Sequence, residues 1–305
     1  MDLISDVENS RKEIEECINH NGFAPEHNYG YYQWLEESGR ENIFLKFPNK
    51  SGILGQYNEK LNAWNFISMP IAKEEDRLMM IVKSLDYLFE KKRAKKVSLE
   101  LTLEFKKKLG LALKDFKLRV GGNNYIYHWP VFDMKKWDGH ELKGKKWKKI
   151  RNIKNRFHRE NKVVVKDARD IQDEKLRQIV NDWIRKRNGI DRPLFLRYFN
   201  MIKYKFDGVD FARTLVVNNE PCSITAGWRI PNSNDYYSGI GIYNYKFKEI
   251  GEIANLDDLI FLKKKKFGKV DFGGSSKNLL QFKKKFFPSF IYKTYSFPVL
   301  GKYEH

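Results

Sequence analysis

The order of elements repeats along this chain, and that repetition limits what it can fold into. Residues 40–132 read as antiparallel strands followed by helix, strand, helix and strand, and residues 163–299 show the same order again. In the first copy, 43–47, 52–57 and 63–69 have strand character and Pro70 closes the set. Residues 73–93 read as a helix with Leu78, Val82, Leu85 and Phe89 on one face. Glu74, Glu75 and Asp76 open it and Lys91, Lys92 and Arg93 end it, the order a helix dipole prefers. A strand at 96–101, a short helix at 103–109 and strands at 116–120 and 125–132 follow. A helix that joins neighbouring strands is a crossover. The expected class is therefore α/β with mixed (α+β) sheets, built twice, although no sequence identity between the copies is obvious.

The second copy opens with a strand at 163–166 and a helix at 173–186 carrying Leu176, Ile179, Val180, Trp183 and Ile184 in phase. A helix is expected at 193–204. Strands at 209–217 and 222–230 pair across Asn218-Asn219, a two-residue hairpin turn. After a strand at 235–243, Asn255 reads as an N-cap with Asp257 and Asp258 in the first turn, and Gly268 stops that helix. A strand at 269–272, a cap at Ser276, a helix at 277–287 and a strand at 291–297 complete the copy. Ahead of both, residues 1–20 read as a helix with Leu3, Val7, Ile14 and Ile18 on one side, ended by His20-Asn21-Gly22.

Between the copies lies a basic segment, 144–162, with Lys145, Lys146, Lys148, Lys149, Arg151, Lys154, Arg156, Arg159 and Lys162. Trp147, Ile150, Ile153 and Phe157 recur at helical spacing, which gives one apolar stripe on a cationic helix. Docked by that stripe, Lys145, Arg151, Asn152, Lys154, Asn155 and Arg156 would be held in place for an anion. The alternative is an ordinary solvated amphipathic helix. The expected domains are 1–132 and 163–305, with 133–162 connecting them.

The formal charge of +19 on 305 residues points to an anionic partner, whether nucleic acid, acidic lipid or a phosphate-rich cofactor. Cys17 and Cys222 are the only cysteines, which argues against a disulfide framework or a multi-cysteine metal site and fits a reducing cytoplasm. No apolar run reaches the length of a membrane span, and the acidic, polar start is unlike a signal peptide. Contact with a membrane would be peripheral, at its surface. The six histidines show no metal-ligand spacing.

The element order resembles the GNAT acyltransferase fold in tandem. One stretch, residues 124–157, resembles the C-terminal domain of phosphatidylglycerol lysyltransferases. There an aromatic strand, here Tyr125-Ile126-Tyr127, leads through Leu142 and Gly144-Lys145-Lys146 into a basic helix, here Arg151-Asn152-Ile153-Lys154-Asn155-Arg156-Phe157. Residues 270–288 resemble the end of FemAB-type aminoacyltransferases. The resemblance implies transfer of an acyl or aminoacyl group to an amine or hydroxyl, with aminoacyl-tRNA or acyl-CoA as donor substrate and no tightly bound cofactor. Implied partners are tRNA or another polyanion, and a small-molecule, peptide or lipid-headgroup acceptor. Two departures matter. Acetyl-CoA enzymes carry a Gly-rich loop where this chain has Lys248-Glu249-Ile250-Gly251-Glu252-Ile253-Ala254, with a single glycine. The lysyltransferases also carry a membrane-spanning part that this sequence lacks, which leaves lipid as acceptor open.

Transfer of this kind needs no covalent intermediate, only a held donor, a proton acceptor and donors to the oxyanion. Asp271 is the suggestive carboxylate, with a structural hydrogen-bond acceptor as its plain alternative. Tyr243 is a second acid or base candidate, or an aromatic rim. Gly273, Gly274, Ser275 and Ser276 lie between a strand end and a helix, where free N–H groups meet anions; a tight turn plus a cap is equally available. Lys283 adds an anion contact or solvates a helix face. Cys222 reads as a buried structural thiol. Two non-catalytic readings stay open: a nucleic-acid-binding protein and a GNAT-like scaffold.

Overall fold

In each half of the molecule a helix carries the chain between two parallel strands, and everything else in the sheets is antiparallel. The computed structural model describes residues 1–37, 39–187 and 195–301. These form two compact units. Among the described residues, the first comprises 1–127, 230–233 and 293–301, the second 128–229 and 234–292.

The first unit runs β1 (Asp2–Ile4), α1 (Arg11–Asn21), α2 (Tyr29–Trp34), β2 (Glu41–Phe47), β3 (Ser51–Asn58), β4 (Ala63–Phe66), α3 (Glu74–Glu90), β5 (Lys96–Leu101), α4 (Leu103–Ala112) and β6 (Leu118–Val120). Strands β1 to β4 are antiparallel neighbours, and α3 then crosses to place β5 parallel to β4. Residues 295–300 return antiparallel to β5. Ile43, Leu45, Ile53, Phe66, Leu85, Leu88, Val97, Leu99 and Phe297 fill the core beneath this sheet. The expected helix over 1–20 is corrected here. Residues 2–4 pair with β2, and the helix begins only at Arg11. Between them Asp6 accepts from the backbone N–H and side-chain amide of Asn9, at 3.1 and 2.7 Å. A short polar side chain that satisfies nearby backbone offers the chain a turn in place of a helix.

The second unit takes residues 128–133 of β7 (Tyr125–Asp133), then α5 (Lys148–Glu160), β8 (Val163–Asp167), α6 (Asp173–Arg185), α7 (Leu196–Lys203), β9 (Phe211–Val217), β10 (Glu220–Pro221), β11 (Ser223–Arg229), β12 (Tyr236–Tyr243), α8 (Ile250–Lys264), β13 (Lys269–Asp271) and α9 (Lys277–Lys284), and the first three residues of β14 (Phe290–Gly301). Strands β8, β9, β11 and β12 are antiparallel in that order; α8 crosses to β13, parallel to β12, and β13 pairs antiparallel with β7. The hairpin turn is as read: Asn218 and Asn219 both take positive φ, 51° and 69°, the backbone a twisted two-residue turn requires. The start of the helix expected at 193–204 lies outside the described residues; α7 begins at Leu196.

Asn255 is not an N-cap. Helix α8 begins at Ile250, and Asn255 sits in its second turn, donating Nδ2 to the carbonyl of Gly251 at 2.7 Å. Asp257 and Asp258 are not first-turn acids either. Asp257 pairs with Arg213 at 2.7 Å, and buried Asp258 accepts from Ser238 at 2.7 Å. The two aspartates are held by the sheet beneath the helix, an arrangement that a local capping rule does not see. Trp147, Ile150, Ile153 and Phe157 are all buried in the core of this unit beside Leu256 and Leu259. The basic helix therefore packs inside the second unit, while residues 293–301 of the last strand return to the first.

Candidate active site

Strands β12 and β13 touch only at Tyr236 against Val270 and Tyr237 against Asp271. Strand β12 continues to Tyr243, but β13 ends at Asp271 and the chain turns away. Beyond Tyr237, the edge of β12 on this side has no strand partner among the described residues. At the same point Ser238 and Gly239 together face Gly227 alone, a bulge in β12 that breaks the alternation of its side chains. A Cβ on Gly227 would lie 2.0 Å from the Tyr237 carbonyl oxygen, so the close approach there admits only glycine.

Asp271 stands where the strands part. It is buried, with Oδ1 accepting from the Gly273 N–H at 2.8 Å and Oδ2 from the Tyr292 hydroxyl at 2.7 Å. Burial pushes its carboxyl up to about 6, against the opposing pull of those two hydrogen bonds and of Lys283. Lys283 reaches in from α9. It is buried too, and its Nζ donates to the carbonyls of Phe272 and Gly273. Burial brings its ammonium down to about 7, while Asp271 works the other way. The two groups feel each other's charge without forming an ion pair. Gly273 has φ +75°, a conformation that favours glycine, and a Cβ there would come within 3.1 Å of the Tyr237 hydroxyl, a tight contact. Trp129 stacks on Tyr292 with ring centroids 5.6 Å apart and also faces Tyr237.

The turn after β13 uses its polar groups internally. The Gly273 N–H serves Asp271, the Phe272 and Gly273 carbonyls serve Lys283, and the Ser275 hydroxyl donates to the Gly273 carbonyl at 3.1 Å. Ser276 caps α9 through the Leu279 N–H, and Gly274 is half-buried. Tyr243 lies at the far end of β12, its ring against Tyr245 and burial first among the causes that raise its hydroxyl well above the ordinary range. Cys222 is fully buried, and its thiol is pushed up to about 11 by burial.

Asp271, Gly273, Ser275 and Lys283 are thus brought together. The residues singled out on the basic helix form a different group. Lys145, Asn152 and Asn155 are exposed and Lys154 is half-buried. Arg151 turns back on its own segment, donating Nη1 to the carbonyls of Leu142, at 2.5 Å, and Gly144, at 3.3 Å. Arg156 pairs with Glu249, the residue before α8. Because Arg151 holds the loop in which Leu142 takes φ 53°, Arg151→Ala is expected to cost about 1.5–3 kcal/mol, the usual range for a charged hydrogen bond. Denaturant unfolding measures it, and an unchanged midpoint would return Arg151 to the list of free cations.

Sequence reasoning missed Trp129, Tyr237 and Tyr292, and it read Lys283 as an anion contact or a solvated face, not as a buried amine. A signal for Lys283 exists. It falls three residues after Leu280 and three before Phe286, in phase with the buried face of α9.

No family model and no curated protein matches the sequence. The structure nonetheless defines a class of fold, the tandem GNAT arrangement. L-PGS from Bacillus licheniformis superposes with a TM-score of 0.67 at 15% identity, over 96% of this chain and 92% of that one. FemX gives 0.61 at 13% identity, over 98% and 97%. A tandem GNAT protein from the clavulanic acid biosynthesis pathway gives 0.57 at 8% identity, over 100% and 99%. At such identities the likeness is one of fold. L-PGS and FemX match the two types of protein named by the resemblance above, and the third neighbour matches its tandem GNAT arrangement. No helix among the described residues is long and apolar enough to cross a membrane.

Proposed function

We propose that the protein is an acyl- or aminoacyltransferase whose reaction takes place where β12 and β13 part. The observation that carries this is the pairing of a buried carboxylate and a buried amine at the divergence, in each other's field but not in contact. An acceptor amine or hydroxyl attacks the carbonyl carbon of a donor ester or thioester. Its proton passes to Asp271, a base whose apparent value of about 6 suits neutral pH. The tetrahedral oxyanion is met by the unpaired edge of β12. As the carbon–oxygen or carbon–sulfur bond breaks, Lys283 gives its proton to the leaving group. Asp271 then releases its proton to water, Lys283 takes one up from water, and the pair is reset.

The donor reading favours aminoacyl-tRNA over acyl-CoA. Helix α8 begins beside the gap, but the space a Cβ would take at Gly251 already holds the Tyr243 ring, 2.7 Å away at Cζ. That glycine therefore serves internal packing and does not open the helix start to a pyrophosphate. The acceptor is an amine or hydroxyl on a small molecule, peptide or lipid headgroup. The test incubates the purified protein with charged tRNA or with labelled acetyl-CoA across an amine panel and follows deacylated tRNA or free coenzyme A. Saturable loss of the aminoacyl ester is expected. Turnover of acetyl-CoA with indifference to tRNA would overturn the donor preference, and inertness to both would leave a scaffold.

A further inference from the structure

Two phenylalanines stand in solvent at the turn from α9 into β14, Phe287 in the loop and Phe290 as the first residue of the strand. Phe287 is 41% exposed and Phe290 45%; singly exposed apolar side chains are ordinary, but here two large rings fall three residues apart. Phe287 also has φ 57°. A residue just past a helix end in that conformation is ordinarily glycine, because a bulky side chain is strained there. The chain holds a phenyl ring outward at the position where local backbone preference would remove it.

The loop is fixed in place. The Ser289 N–H donates to Val131 at 2.8 Å, and the Asp133 N–H to the Ser289 hydroxyl at 2.9 Å. Phe287 rests edge-on against buried Trp147, with Lys146 Nζ 5.7 Å from its ring, and Lys269 Nζ lies 5.9 Å from the ring of Phe290. Lys136 and Lys146 have acidic neighbours, Asp133 at 4.0 Å and Asp138 at 2.7 Å. Lys135, Lys145, Lys269 and Lys284 are exposed and form no ion pair among the described residues. The patch is therefore two apolar side chains on a hydrogen-bonded turn, with Lys146 and Lys269 against their rings and exposed Lys145 and Lys284 close by in the chain.

We infer that this loop is a docking surface for an anionic lipid bilayer, with Phe287 and Phe290 entering the headgroup–acyl boundary and the lysines on the lipid charges. Apolar insertion plus cationic attraction is the composition of an interfacial membrane contact. Nucleic acid is the weaker occupant: the patch supplies lysines but no arginine or asparagine for base edges, and phosphate contacts alone make no use of two exposed rings. The inference stands apart from the transfer reading, since the loop binds or fails to bind whatever the reaction is.

The test is flotation of the full chain with vesicles of phosphatidylcholine alone and of phosphatidylcholine containing about a third phosphatidylserine, in low and high salt. Binding to the anionic vesicles, weakened by salt, is expected. Phe287→Gly/Phe290→Ser keeps every charge and should reduce that binding by about tenfold or more with an unchanged melting temperature. Phe290→Ser alone, away from Trp147, should give a smaller loss in the same direction and covers the case in which the double variant unfolds. Vesicle binding indifferent to the phenylalanines would overturn the inference. So would absence of vesicle binding, or binding to tRNA with none to vesicles.

Discussion

Asp271→Asn is expected to lower the transfer rate by about 10²–10⁴-fold, the usual contribution of a positioned general base, with the fold intact. The replacement has nearly the same shape. Its oxygen can keep the Gly273 N–H, and its amide can donate to the Tyr292 oxygen where the carboxylate accepted. What disappears is the capacity to take a proton. The pH profile separates this from a packing effect. In the wild type, kcat/KM should rise through an apparent value of about 6 and fall as Lys283 deprotonates at about 7. Because the groups interact, these belong to the pair as a whole. The variant should lose the acid limb and keep the other. An Asp271→Asn protein with wild-type rates at every pH would remove Asp271 from the reaction, whatever the fold.

The second large effect is on stability. Asp271→Asn/Lys283→Met is expected to be more stable than the wild type at neutral pH by about 1–4 kcal/mol, as is common when buried charges are replaced by groups of similar volume. Lysine and methionine are close in length, and the cost set against the gain is two carbonyls, Phe272 and Gly273, left without their donor. The pH dependence follows from the two shifts. Asp271 moves from 3.8 up to about 6, so the folded protein binds a proton that the unfolded chain has released, and wild-type stability falls as pH rises through that window. Lys283 moves from 10.5 down to about 7, so the unfolded chain binds the extra proton above 7, and stability rises from there to 10.5. Both penalties are complete only between about 6 and 7. The gain in the variant should peak there and shrink on either side. A gain independent of pH, or a loss at pH 6.5, would show that the charges are not the source of the cost.

Most of the fold could be read from periodicity because the strands and helices are bounded by strong local signals. Trp147, Ile150, Ile153 and Phe157 were legible as one stripe, and Asn218-Asn219 as a turn. Asn255 and Asp258 misled because their partners, Gly251 and Ser238, come from the helix's own preceding turn and from a strand 20 residues away in sequence. The candidate site was half legible. Asp271 and the glycines mark a strand end, but Tyr292 and Trp129 reach the carboxylate's surroundings through tertiary pairing that no local pattern records. The Phe-Lys-Lys-Lys run occurs twice, at 105–108 and 282–285. In both copies the first lysine donates inward to backbone carbonyls, Lys106 to Gly121 at 3.0 Å and Lys283 to Phe272 and Gly273. Reading such a run as a solvated face passes over the one lysine that is not on it.

The contact between Gly251 and Tyr243 has a consequence for how such chains diversify. The Tyr243 ring, from the chain's own sheet, lies against Gly251 in the first turn of α8, and the missing side chain is what leaves it room. A descendant that exchanged Tyr243 for a small residue would keep its backbone and uncover the helix start in one step. The reverse change would close it again. Under the transfer reading proposed above, the range of donors would shift through one side chain, with Asp271, Lys283 and the sheet that carries them left as they are.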